Sequence, residues 1–366
     1  MKNWKYGSTP FILYPKQNIG EVRQCVLENY GRIRYELPFI NALCVEIPKE
    51  RVQRIRTNRR IASMSEDIRV SKLPTRSGGI PLRLPQLRRA PACCGEGVAI
   101  AVIDTGVAPH YDLIRPFNRI RYFHDFVNGR NRIYDDDGHG THVAGIALGN
   151  GYVSGHYAGS APGAALVALK ALDAEGNGNA SDILAAMQWI YDHHLLYNIR
   201  VVNLSLGIQP AQASQIDPLV MGANALVYAG ICVVAAAGNS GPARGSITSP
   251  GVSSLVLTVG SCDSQGEVTA FSSRGPAPDG SSKPDVMAPG VDIVSLSAAN
   301  PKGYIAQSGT SMSAPYVAGL AASYFSCHPS LNPLEVKQAL LEAARPVAKI
   351  PRNAQGCGLL LRTALI

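Results

Sequence analysis

From residue 98 onward, short apolar runs alternate with longer stretches of helical periodicity. Residues 98–103, 165–170, 201–204, 231–235 and 256–259 are rich in Val, Ile, Leu and Ala, with little polar alternation. Such runs suit strands covered on both faces. Residues 139–148, 181–194, 217–229, 311–325 and 333–344 read as helices bounded by turn-forming residues. Strands alternating with helices predict an α/β unit of three layers around a mainly parallel sheet. The N-terminal part is patterned differently. Residues 11–14 predict a strand, and 19–28 a helix with Ile19, Val22, Val26 and Leu27 as its apolar positions. Residues 32–37 and 42–47 read as strands around a turn, Pro48 suits the start of a helix over 49–58, and 61–68 reads as a last strand. That order, β-α-β-β-α-β, is a split βαβ arrangement. Residues 74–91 are rich in Pro, Gly and Arg, the composition of a linker. The reading therefore divides the chain into a small domain at 1–72, a linker at 73–95 and a large unit at 96–366.

Charge sharpens this division. Residues 1–90 hold 18 Lys and Arg against 7 Asp and Glu, a surplus of +11, whereas the remainder holds 16 against 19, or −3. The basic residues are interleaved with apolar ones instead of forming a tail. A folded basic module docking on a mildly acidic partner explains this better than a nucleic-acid-binding arm. No apolar run approaches the ~18 residues of a membrane span. The first residues are basic but lack the apolar core of a secretory signal, so the expectation is a cytoplasmic protein. Eight cysteines form no Cys-x-x-Cys pair, and the adjacent Cys93 and Cys94 offer poor geometry for a bridge. Reduced, mostly structural thiols are expected.

Three short strings carry candidate chemistry: Asp104-Thr105-Gly106, Gly138-His139-Gly140-Thr141-His142 and Gly309-Thr310-Ser311-Met312-Ser313-Ala314-Pro315. Asp104 ends a buried strand, so it lies at the carboxyl edge of the sheet, where open α/β folds place their sites. His139 and Ser311 each open a predicted helix, with Pro315 expected in the first turn of the second. A serine hydroxyl needs a base to take its proton, and a histidine titrates in the right range. A carboxylate fixes the imidazole tautomer and stabilises the imidazolium. The free N–H groups of a helix start favour an oxyanion beside Ser311. A rival metal pair, His139 with His142, lacks a third ligand of convincing spacing. The run 135–137 before Gly138 begins like a calcium loop but lacks the terminal Glu, so a solvated loop is expected there.

The flanks of these strings resemble the subtilisin-like serine proteases, or subtilases. The apolar run into Asp104, the string Gly138–Gly145 around His139, Asn203-Leu-Ser-Leu-Gly207, Ala235-Ala-Ala-Gly-Asn239, Asp285-Val-Met-Ala-Pro-Gly290 and the string around Ser311 stand in the family's order. The resemblance implies a subtilisin-like α/β fold preceded by a small α+β ferredoxin-like propeptide domain. It implies a serine endopeptidase acting on peptides or proteins through an acyl-enzyme, with its own N-terminal domain as intramolecular inhibitor and self-processing of that domain. By the same resemblance Asp104, His139 and Ser311 are the catalytic residues, and the Asn239 side chain and Ser311 N–H form the oxyanion hole. Gly176, Asn177 and Gly178 face Ser205, Leu206 and Gly207 across a groove that takes a peptide as a strand. Ala237 and Gly238 are further substrate-binding residues, and Thr248 falls at the base of the first specificity pocket, making it shallower. Ala180 leaves the fourth pocket open. The propeptide is expected to end near residues 69–73, with Leu73 in the first pocket and Pro74 after the scissile bond. No cofactor is implied for the reaction. Asp112 aligns with a ligand of a structural Ca²⁺, but residues 149–156 lack the usual pattern, so that site is expected to be absent or altered. Two other readings use the same residues: a non-catalytic peptide-binding regulator on this scaffold, and a metal hydrolase built on His139, His142 and the aspartate run. The intact Asp, His, Ser and Asn set favours the enzyme.

Overall fold

Alternation along the first strand decides how the two parts of the chain meet. The computed structural model describes residues 7–76, 93–210 and 216–364. Its N-terminal part comprises β1 (Ser8–Pro15), α1 (Ile19–Glu28), β2 (Arg32–Leu37), β3 (Ala42–Pro48), α2 (Val52–Arg56) and β4 (Ile61–Glu66). The strands form one antiparallel sheet of order β2-β3-β1-β4. Phe11 and Leu13 pack with Val22, Val26 and Ile55 of the two helices. Ile12 and Tyr14, one residue out of step, join Leu184, Met187 and Leu219 in a core shared with the large unit. Successive strand residues face opposite ways, so one sheet face carries its own helices and the other docks. The expected helix over 49–58 is shorter, because 49–51 form a 3₁₀ turn. The expected strand over 61–68 ends at Glu66, where Asp67 turns to accept hydrogen bonds from Ser181. Beyond it, β5 (Arg69–Lys72) leaves the small sheet altogether. Of the expected linker, residues 77–92 lie outside the described residues.

The large unit opens with β6 (Ala99–Asp104), α3 (Tyr111–Ile114), β7 (Ile120–Asp125), α4 (His139–Leu148) and β8 (Ala165–Lys170). It continues with β9 (Asn177–Asn179), α5 (Ala180–Tyr197), β10 (Ile199–Leu204), β11 (Leu206–Gly207), α6 (Pro218–Tyr228) and β12 (Cys232–Ala236). Then come β13 (Leu257–Cys262), β14 (Val286–Pro289), β15 (Ile293–Leu296), β16 (Tyr304–Gln307), α7 (Thr310–Cys327), α8 (Pro333–Ala343) and α9 (Arg352–Gln355). Seven strands pair in parallel in the order β14-β13-β12-β10-β6-β8-β7. One face packs on α4 and α7 through residues such as Val143, Ile146 and Val317. The other packs on α5 and α6 through Ile183, Leu184 and Ala223. The apolar runs of the sequence are the central strands. The two edge strands escaped notice for opposite reasons. In β7 the exposed Arg121 and His124 interrupt the apolar pattern, and β14 is only four residues ending in proline.

The small domain meets the large one through its apolar sheet face, with charged groups at the first turn of α5. Asp67 accepts hydrogen bonds from the Ser181 N–H (2.9 Å) and hydroxyl (2.6 Å), supplying a cap that Asn179 does not. Buried Arg34 pairs with Asp182 at 2.8 Å, and the Tyr35 hydroxyl donates to the same carboxylate at 2.7 Å. The cysteine expectation needs one correction. Cys93 is bonded to Cys327, their Cα atoms 5.5 Å apart. Adjacency in sequence had argued against a bridge, but only one of the neighbouring pair is used, and the end of α7 arrives from 234 positions away. Cys25, Cys44, Cys232, Cys262 and Cys357 are free thiols.

Candidate active site

Two helix N-termini and one strand end converge above the carboxyl edge of the sheet. Asp104 is the last residue of β6, and His139 is the first of α4. The His139 Nδ1–H donates to Asp104 Oδ1 at 2.8 Å, and both side chains are buried. The two elements are tied by Asp135. Its Oδ1 accepts from the Thr105 hydroxyl (2.9 Å) and the Gly138 N–H (2.8 Å), and its Oδ2 from the Thr141 N–H (2.8 Å) and hydroxyl (2.6 Å). Thr105 Oγ1 in turn accepts from the Gly140 N–H. Asp136 pairs with the buried Lys170 at 2.6 Å, and Asp137 Oδ1 accepts the His139 N–H at 3.1 Å. The run 135–137 is therefore a scaffold under the imidazole, not the solvated loop expected from the sequence. Its signal was legible: short acidic side chains immediately before a helix are suited to cap its free N–H groups.

Ser311 is the second residue of α7. Asn239 is oriented against it by Thr310, whose N–H (3.0 Å) and hydroxyl (2.8 Å) both donate to Asn239 Oδ1. With the oxygen so occupied, the amide nitrogen faces the groove. Pro315 lies in the second helical turn, not the first. Lacking an N–H, it leaves the Ser311 carbonyl free of a helical bond, and the Ser205 hydroxyl donates to that carbonyl at 3.1 Å. The Ser311 hydroxyl donates to the Ser205 carbonyl at 3.3 Å. His139 Nε2 has no hydrogen-bond partner among the described residues.

The groove holds a strand of the same chain. β5 lies between β11 and β9, antiparallel to both. Lys72 N–H donates to the Gly176 carbonyl at 2.7 Å, and Ser71 donates through its hydroxyl to the Asn177 side chain at 2.7 Å. Lys72 stands opposite Leu206, Ser71 opposite Gly207, and Val70 opposite Gly178. Val70 is buried in the core that includes Leu172, Ala180, Ile183 and Leu206. Gly207 and Gly238 both approach Thr248 so closely that neither could carry a Cβ without displacement. Thr248 N–H donates to the Ala237 carbonyl at 2.9 Å, which places Thr248 between the substrate-binding segments at 205–207 and 237–238.

The register at the nucleophile differs from expectation. The Asn239 amide donates to the Pro74 carbonyl at 2.7 Å. Pairing ends at Lys72 on one side and resumes at Arg76 with Ser308 on the other. Pro74 is midway between these anchors, so its carbonyl, rather than that of Leu73, is presented.

Burial alone would push the His139 pKa down. The charge and hydrogen bond of Asp104 outweigh it, so the net direction is up; Lys72 lowers it further and Asp137 raises it. His142 behaves oppositely: burial first, then the nearby His139, depress it to about 3. Its Nε2 donates to the Ile293 and Ile305 carbonyls, tying α4 to the β15–β16 hairpin. That engagement turns the Nε2 edge of His142 toward the hairpin, not toward His139. Among the described residues no group of three or more His, Cys, Asp or Glu side chains is arranged to hold a metal ion. Asp112 Oδ1 accepts the Val153 N–H (2.9 Å) and Oδ2 the Tyr304 hydroxyl (2.8 Å), so this carboxylate is engaged by the fold.

A buried Asp–His pair, a helix-borne serine and an oriented amide beside a strand-binding groove are the apparatus of a serine-type endopeptidase. Comparison with known proteins agrees. Residues 95–358 match the model of the subtilase family. The serine protease AprX of Bacillus subtilis is 41% identical over 301 residues, 74% of this chain and 66% of AprX. Subtilisin Savinase of Lederbergia lenta is 36% identical over 267 residues, 73% of this chain and 89% of its own. A thermostable alkaline protease of Halalkalibacterium halodurans is 32% identical over 310 residues, covering 84% of this chain and 78% of that protein. The chain belongs to the subtilase family.

Proposed function

We propose that this chain hydrolyses peptide bonds through an acyl-enzyme and that its own residues 69–76 are a substrate-like strap across the site. The observation that carries the reading is the Pro74 carbonyl resting on the Asn239 amide while its strand is paired on both sides of the groove. In the reaction the Ser311 hydroxyl loses its proton to His139 Nε2 as Oγ bonds to the substrate carbonyl carbon. The oxygen gains the charge and is held by the Asn239 amide and the Ser311 N–H. Asp104 stabilises the imidazolium. On collapse the C–N bond breaks, His139 returns the proton to the departing amine, and water repeats the sequence on the ester. No metal or cofactor enters these steps. Self-processing of the small domain follows the same chemistry on the strap. The free Nε2 and the hydroxyl turned toward Ser205 describe a resting arrangement from which Ser311 must rotate.

Mass spectrometry of the purified chain beside its Ser311→Ala form tests this. Serine-dependent fragments, peptide turnover blocked by a fluorophosphonate and insensitivity to a chelator are expected. Tight peptide binding with no acyl-enzyme burst would instead identify a non-catalytic regulator.

A further inference from the structure

The groove already contains a ligand whose side chains report what it accepts. Lys72 hydrogen-bonds through its backbone to Gly176, as any residue could. Its side chain adds a selective contact: Lys72 Nζ forms an ion pair with Asp137 Oδ2. The Asp137 side chain is 8% exposed and that of Lys72 26%, so the pair is largely withdrawn from water. The Lys72 stem runs directly over Gly176, where any Cβ would collide with its methylenes. The other acids of the run have their own duties. Asp135 is saturated by Thr105, Gly138 and Thr141, and Asp136 is held by Lys170. Asp137 alone of the three divides its oxygens, one toward the His139 N–H and the other into the groove. Farther along, Arg69 lies 3.9 Å from Asp173, but Arg69 is 71% exposed, and such a pair contributes little.

We propose that Asp137 is a specificity-determining residue that selects Lys or Arg at the substrate position occupied by Lys72, next to an aliphatic residue two positions earlier at the site of Val70. The proposal rests on the peptidase reading and narrows its substrates to basic, strand-forming segments. The physical reason is differential solvation. A lysine bound there exchanges water for a carboxylate fixed by the start of α4. A neutral side chain leaves that carboxylate unpaired in a covered site, and an acidic one adds repulsion.

The test uses the full chain and internally quenched peptides containing Val-Ser-Lys-Leu-Ala-Thr, with Ala in place of proline. Companion peptides carry Gln or Glu in place of Lys, and mass spectrometry locates the cut. The expected kcat/KM is about tenfold higher for Lys than for Gln, and lowest for Glu. In Asp137→Asn, which keeps an acceptor for the His139 N–H, the Lys-to-Gln ratio should fall to near one. In Asp137→Lys the order of Lys and Glu should invert. Comparing peptides within one variant cancels any effect on His139 itself. Raising salt should narrow the wild-type ratio. Equal rates for all three peptides, or an unchanged ratio in Asp137→Asn, would overturn the specificity while leaving the peptidase reading intact. Failure of the chain to cleave any of them, together with no fluorophosphonate labelling of Ser311, would sink both.

Discussion

The two helix starts that meet in the site are stabilised in contrasting ways. The start of α4, which carries His139, is surrounded by carboxylates: Asp104 on the ring, Asp135 on the loop and Asp137 on the first N–H. The start of α7, which carries Ser311, is surrounded by neutral groups: the Asn239 amide, the Thr310 hydroxyl and the Ser205 carbonyl and hydroxyl. Both satisfy the free N–H groups of a helix, yet the choice of partner follows the charge each end must bear. An imidazolium forms at the first, so fixed negative charge assists it. An oxyanion forms at the second, so a carboxylate there would oppose it.

Variants can break this contrast in order of severity. Ser311→Ala removes the nucleophile and should lower kcat by about 10⁶-fold, a magnitude taken from subtilisin itself; peptide hydrolysis above background checks it. Asp104→Asn removes the charge facing His139 and should cost about 10⁴-fold. It should also move the pH profile. A protonated His139 cannot accept the serine proton, so activity falls as pH drops through its pKa. Burial lowers that pKa and Asp104 raises it more, so the wild-type acid limb of kcat/KM should lie above the usual 6.5 of histidine. In Asp104→Asn the raising influence is gone, and the limb should shift to lower pH; an unmoved limb would detach Asp104 from the imidazole.

Asn239→Ala should lower kcat by about 10²–10³-fold with KM little changed. Asn239→Asp sharpens the comparison. It keeps an acceptor for Thr310 but puts negative charge where the oxyanion develops, so it should be slower than Asn239→Ala. If the acid were the milder change, the neutral environment of α7 would have no electrostatic purpose. The smallest effect expected on chemistry is at Asp135, which touches no reacting atom. Asp135→Ala strands several N–H and hydroxyl donors and should destabilise the fold by about 2 kcal/mol in denaturant titration. Its loss of kcat should be well below that of Asp104→Asn.

Much of this was readable from the chain alone. Residues 19–28 and 139–148 read as helices and are helices, α1 and α4, because their apolar spacing and flanking turn residues agree. Asp104, His139, Ser311 and Asn239 stand out by their flanks, and the structure sets Asp104 against His139 and Asn239 against Thr310, the neighbour of Ser311. Asp135 and Asp137 read as a solvated loop, although acids just before a helix suit its free N–H groups, because the groove that Asp137 faces is assembled only by the fold. Pro315 was placed one turn too early, since the cap geometry at Gly309 is not visible in composition.

Local forces account for what the sequence determined. Strand burial, helix capping and the order of the strings around Asp104, His139 and Ser311 act over a few residues and leave a pattern. The tertiary structure decided the rest. It chose which face of β1 meets α5 and α6, since Phe11 and Ile12 are equally apolar and only packing separates their partners. It joined Cys93 to Cys327 across 234 positions. It laid β5 between β9 and β11, so that Pro74 rather than Leu73 reached Asn239 and Lys72 found Asp137. Each of these pairs residues distant in sequence, and no local preference encodes which distant partner a backbone hydrogen bond, a thiol or a charge will meet.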